Sequence, residues 1–473
     1  MKHQPTYFLF SLLFITALFL PGCSTPTLTS SFRLERWLTN PAKEILFQSQ
    51  PTLKATEPTN QLPVISIEAD QPFQTMDGFG YTLTGGSAIL LNRMSTKKRS
   101  ALLQELFGTE GSNIGISYLR ISIGASDLSN RVFSYSDLLE GETDPEMRRF
   151  SLDAERKDLI PILKEILGIN PDIKIMGSPW SPPTWMKSNQ NSRGGSLLPT
   201  YYRAYAHYFV RYVQEMKKEG VTIDAITVQN EPLHPGNNPS LLMLADEQAA
   251  FIKTALGPAF EETGITTKII IYDHNADRPD YPISILNDPE ARKYINGSAF
   301  HLYGGSIEAL TEVHNAHPDK ALYFTEQWVG APENMAGDVA WHVKNLIIGA
   351  SRNWARTVLE WNLAADPDQN PHTEGGCTQC LGAITIAPNG DITRNPAYYI
   401  IAHASKLVRP GSVRIASTLP KNLPNVAFLT PDKTKVLIVL NDSKAEKLFR
   451  IESGKQSYEV LLAAGAVETY QLN

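Results

Sequence analysis

The chain has 473 residues, of which 42% are hydrophobic and 19% charged, with 31 Gly and 32 Pro, and these proportions exclude a disordered, collagen-like or coiled-coil chain. Lys and Arg number 43 against 49 Asp and Glu, a net charge of −6 with no basic block or stripe, so nucleic acid is not an expected partner. The length accommodates two or three domains, or one α/β barrel with a small appendage.

Residues 1–22 read as an export signal: Lys2 and His3, an apolar run from Tyr7 to Leu20, then Leu20-Pro21-Gly22-Cys23 and Ser24. The apolar run is shorter than the roughly 20 residues a membrane-spanning helix needs. Its Leu-x-Gly-Cys ending resembles a bacterial lipoprotein signal, in which Cys23 becomes the lipid-bearing first residue and Ser24 in place of Asp fits passage to the outer membrane. Plain secretion and a retained anchor are the alternatives. Lipidated Cys23 is the only membrane attachment expected. Residues 23–62, rich in Ser, Thr, Pro and Gln, read as a linker without a core of its own. Within 63–75, Val64 to Ala69 has strand character.

From 76 to 408, short apolar runs alternate with stretches of helical period, the signature of a parallel sheet surrounded by helices. Eight strands are expected, at Met76 to Thr82, Ser117 to Ser122, Ile173 to Ser178, Ala225 to Asn230, Lys268 to Tyr272, Ser298 to Leu302, Ala321 to Thr325 and Thr357 to Trp361. Helices are expected between or after them, among them Thr96 to Leu106, Ala154 to Leu167, Tyr201 to Lys218, Glu247 to Glu262 and Pro396 to Leu407. Eight alternations predict a (β/α)8 TIM barrel, with a doubly wound sheet as the competitor; no strand is followed by Gly-x-Gly-x-x-Gly, which favours the barrel. In 409–473 the helical period stops and strands separated by turn residues follow, a small all-β module that the 63–75 strand joins.

With Cys23 in the signal, Cys377 and Cys380 remain, in a Gly-rich loop. A disulfide is the expected state in an exported chain, free thiols and a metal or redox site being the alternatives. A zinc site would need two more ligands.

In a barrel of this kind the chemistry lies at the C-terminal ends of the strands. Strand four ends in Asn230-Glu231-Pro232 and strand seven in Thr325-Glu326-Gln327-Trp328, on opposite sides of the barrel mouth. A lone Glu at a strand end is ordinarily a cap or an ion-pair partner. Two facing carboxyls are the equipment for cleaving a glycosidic bond. The same rim carries Trp180 after strand three and Trp361 on strand eight, ring faces suited to pyranose C–H faces. Strand two gives Arg120 and then Asp127, and strand six gives His301 and Tyr303, each able to bond hydroxyls or orient a carboxylate.

These runs together resemble family 30 glycoside hydrolases, the glucosylceramidase-like family: Asp77-Gly78-Phe79-Gly80, Arg120 with Ala125-Ser126-Asp127, Ser178 to Lys187, Asn230-Glu231-Pro232, His301-Leu302-Tyr303, Thr325-Glu326 and Glu360-Trp361-Asn362-Leu363-Ala364. The resemblance implies a retaining β-glycosidase whose TIM barrel carries an attached β-sandwich domain, formed from the C-terminal segment plus an N-terminal strand. It assigns Glu231 as acid/base and Glu326 as nucleophile. It puts Asn230 at the 2-hydroxyl, Asp127, Trp180 and Trp361 around the non-reducing sugar, and His301 and Tyr303 beside the nucleophile; Trp328 and Asn362 complete the expected substrate-binding set. No metal or organic cofactor is expected. The acid/base must start protonated, so a raised Glu231 pKa is expected.

Two features steer the substrate. Trp328, two residues after Glu326, and the segment Pro371 to Cys380 differ from the animal glucosylceramidases and resemble bacterial and fungal members that cut β-1,6-glucan. A β-linked glucan or glucoside is therefore the expected partner, β-1,6-glucan ahead of glucosylceramide and of other β-glucosides, β-xylosides or β-fucosides. The reading from another class is a carbohydrate-binding lipoprotein without activity; the presence of both Glu231 and Glu326 argues against it.

Overall fold

Eight apolar runs become eight parallel strands because each is followed by a segment long enough to carry the chain back to the same end of the sheet. In the computed structural model, which describes Met1, residues 33–57 and residues 61–472, the strands are Gly78–Thr82, Tyr118–Ser122, Lys174–Ser178, Ala225–Thr227, Lys268–Ala276, Ile295–Gly305, Ala321–Glu326 and Ala355–Asn362. They lie side by side in chain order, and strand eight pairs in parallel with strand one through Val358 and Phe79, so the sheet is a closed barrel and not a doubly wound one. Cys23 and the rest of the expected signal after Met1 lie outside the described residues. Among the described residues no helix is long and apolar enough to cross a membrane.

The helix Tyr202–Lys218 shows how the outer ring forms: Tyr205, Tyr208, Phe209, Tyr212, Val213 and Met216 recur at three- and four-residue steps and are buried against the barrel. Two helices escape the periodicity. Gly85–Arg93 opens on two glycines that hide it, yet Thr84 caps it by accepting from the Ser87 N–H at 3.1 Å. Asp280–Leu286 is a short helix between strands five and six.

Strand alternation divides the barrel interior into layers. Tyr118, Met176, Ala225, Ile270, Ala299, Tyr323 and Leu359 form one buried apolar cluster. Two residues further along six of these strands come Arg120, Ser178, Thr227, His301, Thr325 and Trp361, also inward because side chains repeat every second residue. An apolar plug thus lies directly beneath a polar layer.

The second domain departs from the sequence reading at its start. Residues 33–54, expected to be linker, form strands Arg33–Asn40 and Ile45–Lys54. With Val64–Thr75 they contribute three strands, not one, to a nine-stranded sheet completed by Val413–Ser417, Asn425–Leu429, Lys435–Leu440, Lys447–Ser453, Gln456–Leu462 and Val467–Leu472. The composition misleads because Ile45–Lys54 is the edge strand and Arg33–Asn40 its neighbour, both bearing exposed polar residues, while Leu34 is fully buried opposite Leu472. Val64–Thr75 also runs past the expected Ala69, pairing antiparallel with Val413–Ser417 and parallel with Lys447–Ser453. The barrel and this sheet are locked together by His403 of helix Pro396–Ser405, whose imidazole lies between the hydroxyls of Thr39 at 2.7 Å and Thr469 at 2.8 Å. Burial pushes its pKa down to about 3, so it bonds both threonines as a neutral ring.

Candidate active site

The polar layer is organised by one buried cation. Arg120 has no exposed surface, and its guanidinium donates to Glu326 Oε2 at 2.6 Å, Asp273 Oδ2 at 2.8 Å, Asn230 Oδ1 at 2.6 Å and Ser178 Oγ at 3.0 Å. Its flat face sits 4.8 Å from the Trp180 ring and 5.8 Å from the Trp361 ring. Burial works against its charge, and Asp273 and Glu326 outweigh that.

Asp273 is the residue that strand reading missed. Strand five does not stop at Tyr272; it continues to Ala276 through a register shift between Tyr272 and His274. Tyr272 and Asp273 adopt φ of 69° and 65°. Such a bulge re-aims a side chain. Plain alternation from Ile270 would point Tyr272 inward, and the bulge delivers Asp273 there instead. Its carboxylate accepts from Arg120, from the Thr227 and Thr325 hydroxyls at 2.7 Å each, and meets His301 Nε2 at 3.1 Å. Burial alone would raise its pKa; Arg120 and the hydrogen bond to His301 hold it well below the usual carboxylate range. The available signal was the run Tyr272-Asp273-His274-Asn275, polar residues continuing an apolar strand onto the same rim.

The two predicted glutamates face each other. Glu231 Oε1 lies 3.2 Å from His301 Nδ1, and Glu326 Oε1 lies 3.8 Å from the same nitrogen. One oxygen of each glutamate and one ring nitrogen of His301 fall within 4.8 Å of one another. Glu326 is pinned by Arg120 on one oxygen and by the Tyr303 hydroxyl, which donates at 3.0 Å, on the other. Glu231 has φ 44°, left-handed backbone that a residue before proline seldom adopts. Such strain costs about 1–3 kcal/mol and persists where the surroundings over-determine it. Here the Glu231 N–H donates to the Asp273 carbonyl at 2.9 Å and its carbonyl accepts from the His234 N–H.

The charge pattern differs from expectation. Burial raises the Glu231 pKa, but the hydrogen bond to His301 and that ring's charge outweigh it, so Glu231 lies below the ordinary value in the free site. Glu326 lies above it, through burial against the opposing His301 and Arg120. The cause is His301: burial disfavours its charge, yet Glu326, Asp273 and Glu231 together push its pKa up to about 9. Raised to about 9, the His301 pKa keeps this imidazole protonated at neutral pH.

Above this layer opens a cavity of about 430 Å³ lined by Asp127, Trp180, Glu231, Tyr303, Glu326, Trp328 and Trp361, all anticipated from the sequence. Trp180 and Trp361 pack 5.4 Å apart, tilted by 32°. Asp127 is pushed up to about 7 by burial and by the charges of Glu326 and Glu231. His234 and Asn237, in the loop after strand four, and His274 and Asn275, on the part of strand five beyond its expected end at Tyr272, also line it and escaped the sequence reading. Three expected contacts are placed elsewhere. Asn230 and His301 lie within the charged layer, with Asn230 Oδ1 accepting from Arg120. Asn362 Oδ1 accepts from Thr84 and Ser87 hydroxyls at 3.1 and 2.9 Å, supporting the neighbouring helix rather than the cavity. Cys377 and Cys380 form a disulfide, with 2.09 Å between the sulfurs, and both line the cavity.

Glu231, His301 and Glu326 are also the one group among the described residues spaced to share a metal ion. Both oxygens of Glu326 and the second nitrogen of His301 already have partners in Arg120, Tyr303 and Asp273.

Comparison with known proteins agrees with this geometry. The model of the glycosyl hydrolase family 30 TIM-barrel domain matches residues 76–408, and that of the family 30 beta sandwich domain matches residues 411–470. An endo-1,6-beta-D-glucanase of Neurospora crassa is 37% identical over 393 residues, 80% of each chain. The lysosomal acid glucosylceramidase of Mus musculus is 28% identical over 86% of this chain and 83% of its own. The solved structure of the endo-beta1,6-glucanase BT3312 superposes with a TM-score of 0.87 at 36% identity, covering 93% of this chain and 99% of that one.

Proposed function

The chain belongs to glycosyl hydrolase family 30, and from that premise we propose that it hydrolyses β-1,6-glucan by double displacement, with Glu326 as nucleophile and Glu231 as acid/base. The observation that carries the mechanism is the spacing of the two carboxyls. Oxygens within 4.8 Å suit the roughly 5–5.5 Å separation of retaining enzymes and leave no room for the water that an inverting pair, about 6.5–9.5 Å apart, holds between them.

Glu326, fixed by Arg120 and Tyr303, attacks the anomeric carbon while Glu231 protonates the departing oxygen. The proton comes from the hydrogen-bonded pair: His301 holds it in the free site at 3.2 Å from Glu231 Oε1, and Asp273 keeps the ring in line from behind. Once Glu326 is esterified its charge is gone, and Glu231 acts as base toward water. Two cations, Arg120 and His301, stand against Asp273, Glu326 and Glu231, an excess of negative charge that favours an oxocarbenium-like transition state. Trp180 and Trp361 supply ring faces to the bound sugar, and Trp328 forms the wall on the leaving-group side.

The β-1,6-glucan assignment is supported by relatives named for that activity at 36–37% identity and by Trp328 and the 371–380 segment at the cavity rim. Glucosylceramide is the second substrate to test, since the mouse relative bears that name at lower identity. Incubation of the mature chain with pustulan and, separately, with glucosylceramide in detergent, beside Glu326→Gln, checks both. Oligosaccharides from pustulan that are absent with the variant are expected; glucose from the lipid alone would overturn the assignment, and no product from either would revive the binding-protein reading.

We further propose that the protein is exported and anchored through lipidated Cys23, on the strength of the apolar run and Leu-x-Gly-Cys ending. Fatty-acid labelling that disappears in Cys23→Ala is the expected result, and labelling unaffected by that change would refute it.

A further inference from the structure

The Cys377–Cys380 disulfide lies in the wall of the cavity. Cys380 shares an apolar cluster with Leu128, Trp180 and Trp361, and Cys377 and Trp328 pack against that cluster. Each half of the bridge is tied to a different side of the pocket.

On one side, Cys380–Leu381 pairs antiparallel with Val329–Gly330, directly after Trp328, and the Ala331 N–H donates to Gln379 at 2.9 Å. On the other side, the Cys377 backbone amide lies beside the Asp127 carboxylate and favours its charged form. Just upstream, the Thr373 N–H donates to the Asp127 carbonyl at 2.8 Å, and Thr373 Oγ1 donates to the Asn238 carbonyl at 2.5 Å. The loop also lies flat on the Asp127 backbone: a Cβ on Gly376 would meet the Asp127 carbonyl at 2.4 Å. Asp127 follows barrel strand two and Trp328 follows strand seven, so the segment from Cys377 to Cys380 adds a covalent tie between two walls that otherwise touch through the packing of Trp328 on the Leu128, Trp180 and Trp361 cluster. The acid pair is held from below, by Arg120, His301 and Tyr303.

We propose that the Cys377–Cys380 disulfide is a specificity-determining cross-tie, fixing Asp127 on the sugar-binding wall relative to Trp328 on the leaving-group wall, while the acid pair stays independent of it. The inference rests on the reading of the cavity as a glucan site. An open bridge lets the two walls part, and a polymer that must touch both at once binds less well, although the bond-breaking groups remain in place.

The test uses the mature chain oxidised, reduced with a phosphine, and as the Cys377→Ser, Cys380→Ser double variant. The expected result is a KM for pustulan higher by about tenfold in the reduced and serine forms, with kcat changed by less than about threefold. Reoxidation restores the wild-type KM, and the serine form ignores reductant. A KM unmoved in both forms, or a fall in kcat at constant KM, overturns the cross-tie.

Hydrogen exchange on the same samples reads the tie without catalysis. Faster exchange at both 126–128 and 329–331 on reduction is expected, whereas a change confined to 374–381 overturns it. A wild type without activity on pustulan refutes the substrate reading and leaves the exchange result to decide the tie.

Discussion

The two ends of one barrel carry two ion clusters, and they are built differently. Where the strands begin, the Asp77 carboxylate takes Arg356 at 3.0 Å and Lys174 at 3.3 Å, and those side chains are 33% and 30% exposed. Where the strands end, Arg120 and Asp273 are both fully buried at 2.8 Å, with Glu326, His301 and Glu231 stacked on them. Asp77 itself is buried, but water reaches both of its cationic partners, so these pairs are screened more than sealed ones. The upper one is sealed, and removing charges from water costs several kcal/mol per ion unless every charge is partnered. The backbone leaves the ordinary regions at both ends, but only the upper end joins several such residues to the charge cluster. Beneath, strand one opens on Gly78 at φ 147°, where a Cβ would strike Ser117 Oγ at 2.7 Å, and Trp354, just before strand eight, carries φ 75°. Above, positive φ falls on Glu231, Tyr272 and Asp273, residues with side chains and hence with strain. Sealed charge and backbone strain coincide at the end that does chemistry.

The largest effect that this contrast predicts is loss of the acid pair. Glu326→Gln lowers kcat by about 10⁴-fold or more, whereas Asp77→Asn at the lower end leaves kcat/KM within about twofold; steady-state kinetics on β-1,6-glucan reads both. Next, Asp273→Asn strips the partner from Arg120 and His301 although it touches no cavity surface. Breaking one side of a buried pair costs about 3–5 kcal/mol of stability, read by urea unfolding, and the His301 pKa, held at about 9 partly by Asp273, falls toward neutrality. The alkaline limb of the rate profile moves to lower pH with it.

A third effect concerns stability against pH. His301 titrates near 6.5 when unfolded and about 9 when folded, so its charged contacts stabilise the protein fully below pH 6.5 and are lost as pH rises to 9. The loss is on the order of 3 kcal/mol across that window. Unfolding midpoints measured from pH 6 to 9.5 show this slope in the wild type, and His301→Gln flattens it. A fourth effect is at Asp127, whose pKa is raised to about 7, so its ionisation in the folded state costs stability that builds above about pH 4 and is fully present above pH 7. Asp127→Asn therefore raises the Tm at pH 8, by about 2–4 °C for each kcal/mol relieved, while weakening activity. A Tm that drops instead would show that the charge is well accommodated.

The barrel and the paired glutamates were legible because each rests on a local rule: apolar runs of strand length, helical period between them, and a polar residue at the strand end. What stayed hidden depends on departures from periodicity. Asp273 is inward only because a bulge shifts the register of strand five, which no alternation pattern contains. The edge strands at 33–54 are polar on one face and were mistaken for linker, since Leu34 and its pairing with Leu472 make sense only once the far end of the chain is beside it. The direction of the Glu231 pKa depended on His301, distant in sequence and placed at 3.2 Å by the fold. Asn362, adjacent to Trp361 in its motif, faces the opposite way along the strand and serves the helix at Gly85–Arg93.

Glu326 is the proposed nucleophile, held in a buried charge cluster by Arg120 and Tyr303. Trapping with an activated 2-deoxy-2-fluoro-β-glucoside, followed by peptide mass mapping, reads that claim directly. The account predicts one covalent sugar on the peptide containing Glu326 and none in Glu326→Gln; label on Glu231 or Asp127, or unlabelled enzyme that releases product of inverted anomeric configuration, would contradict it.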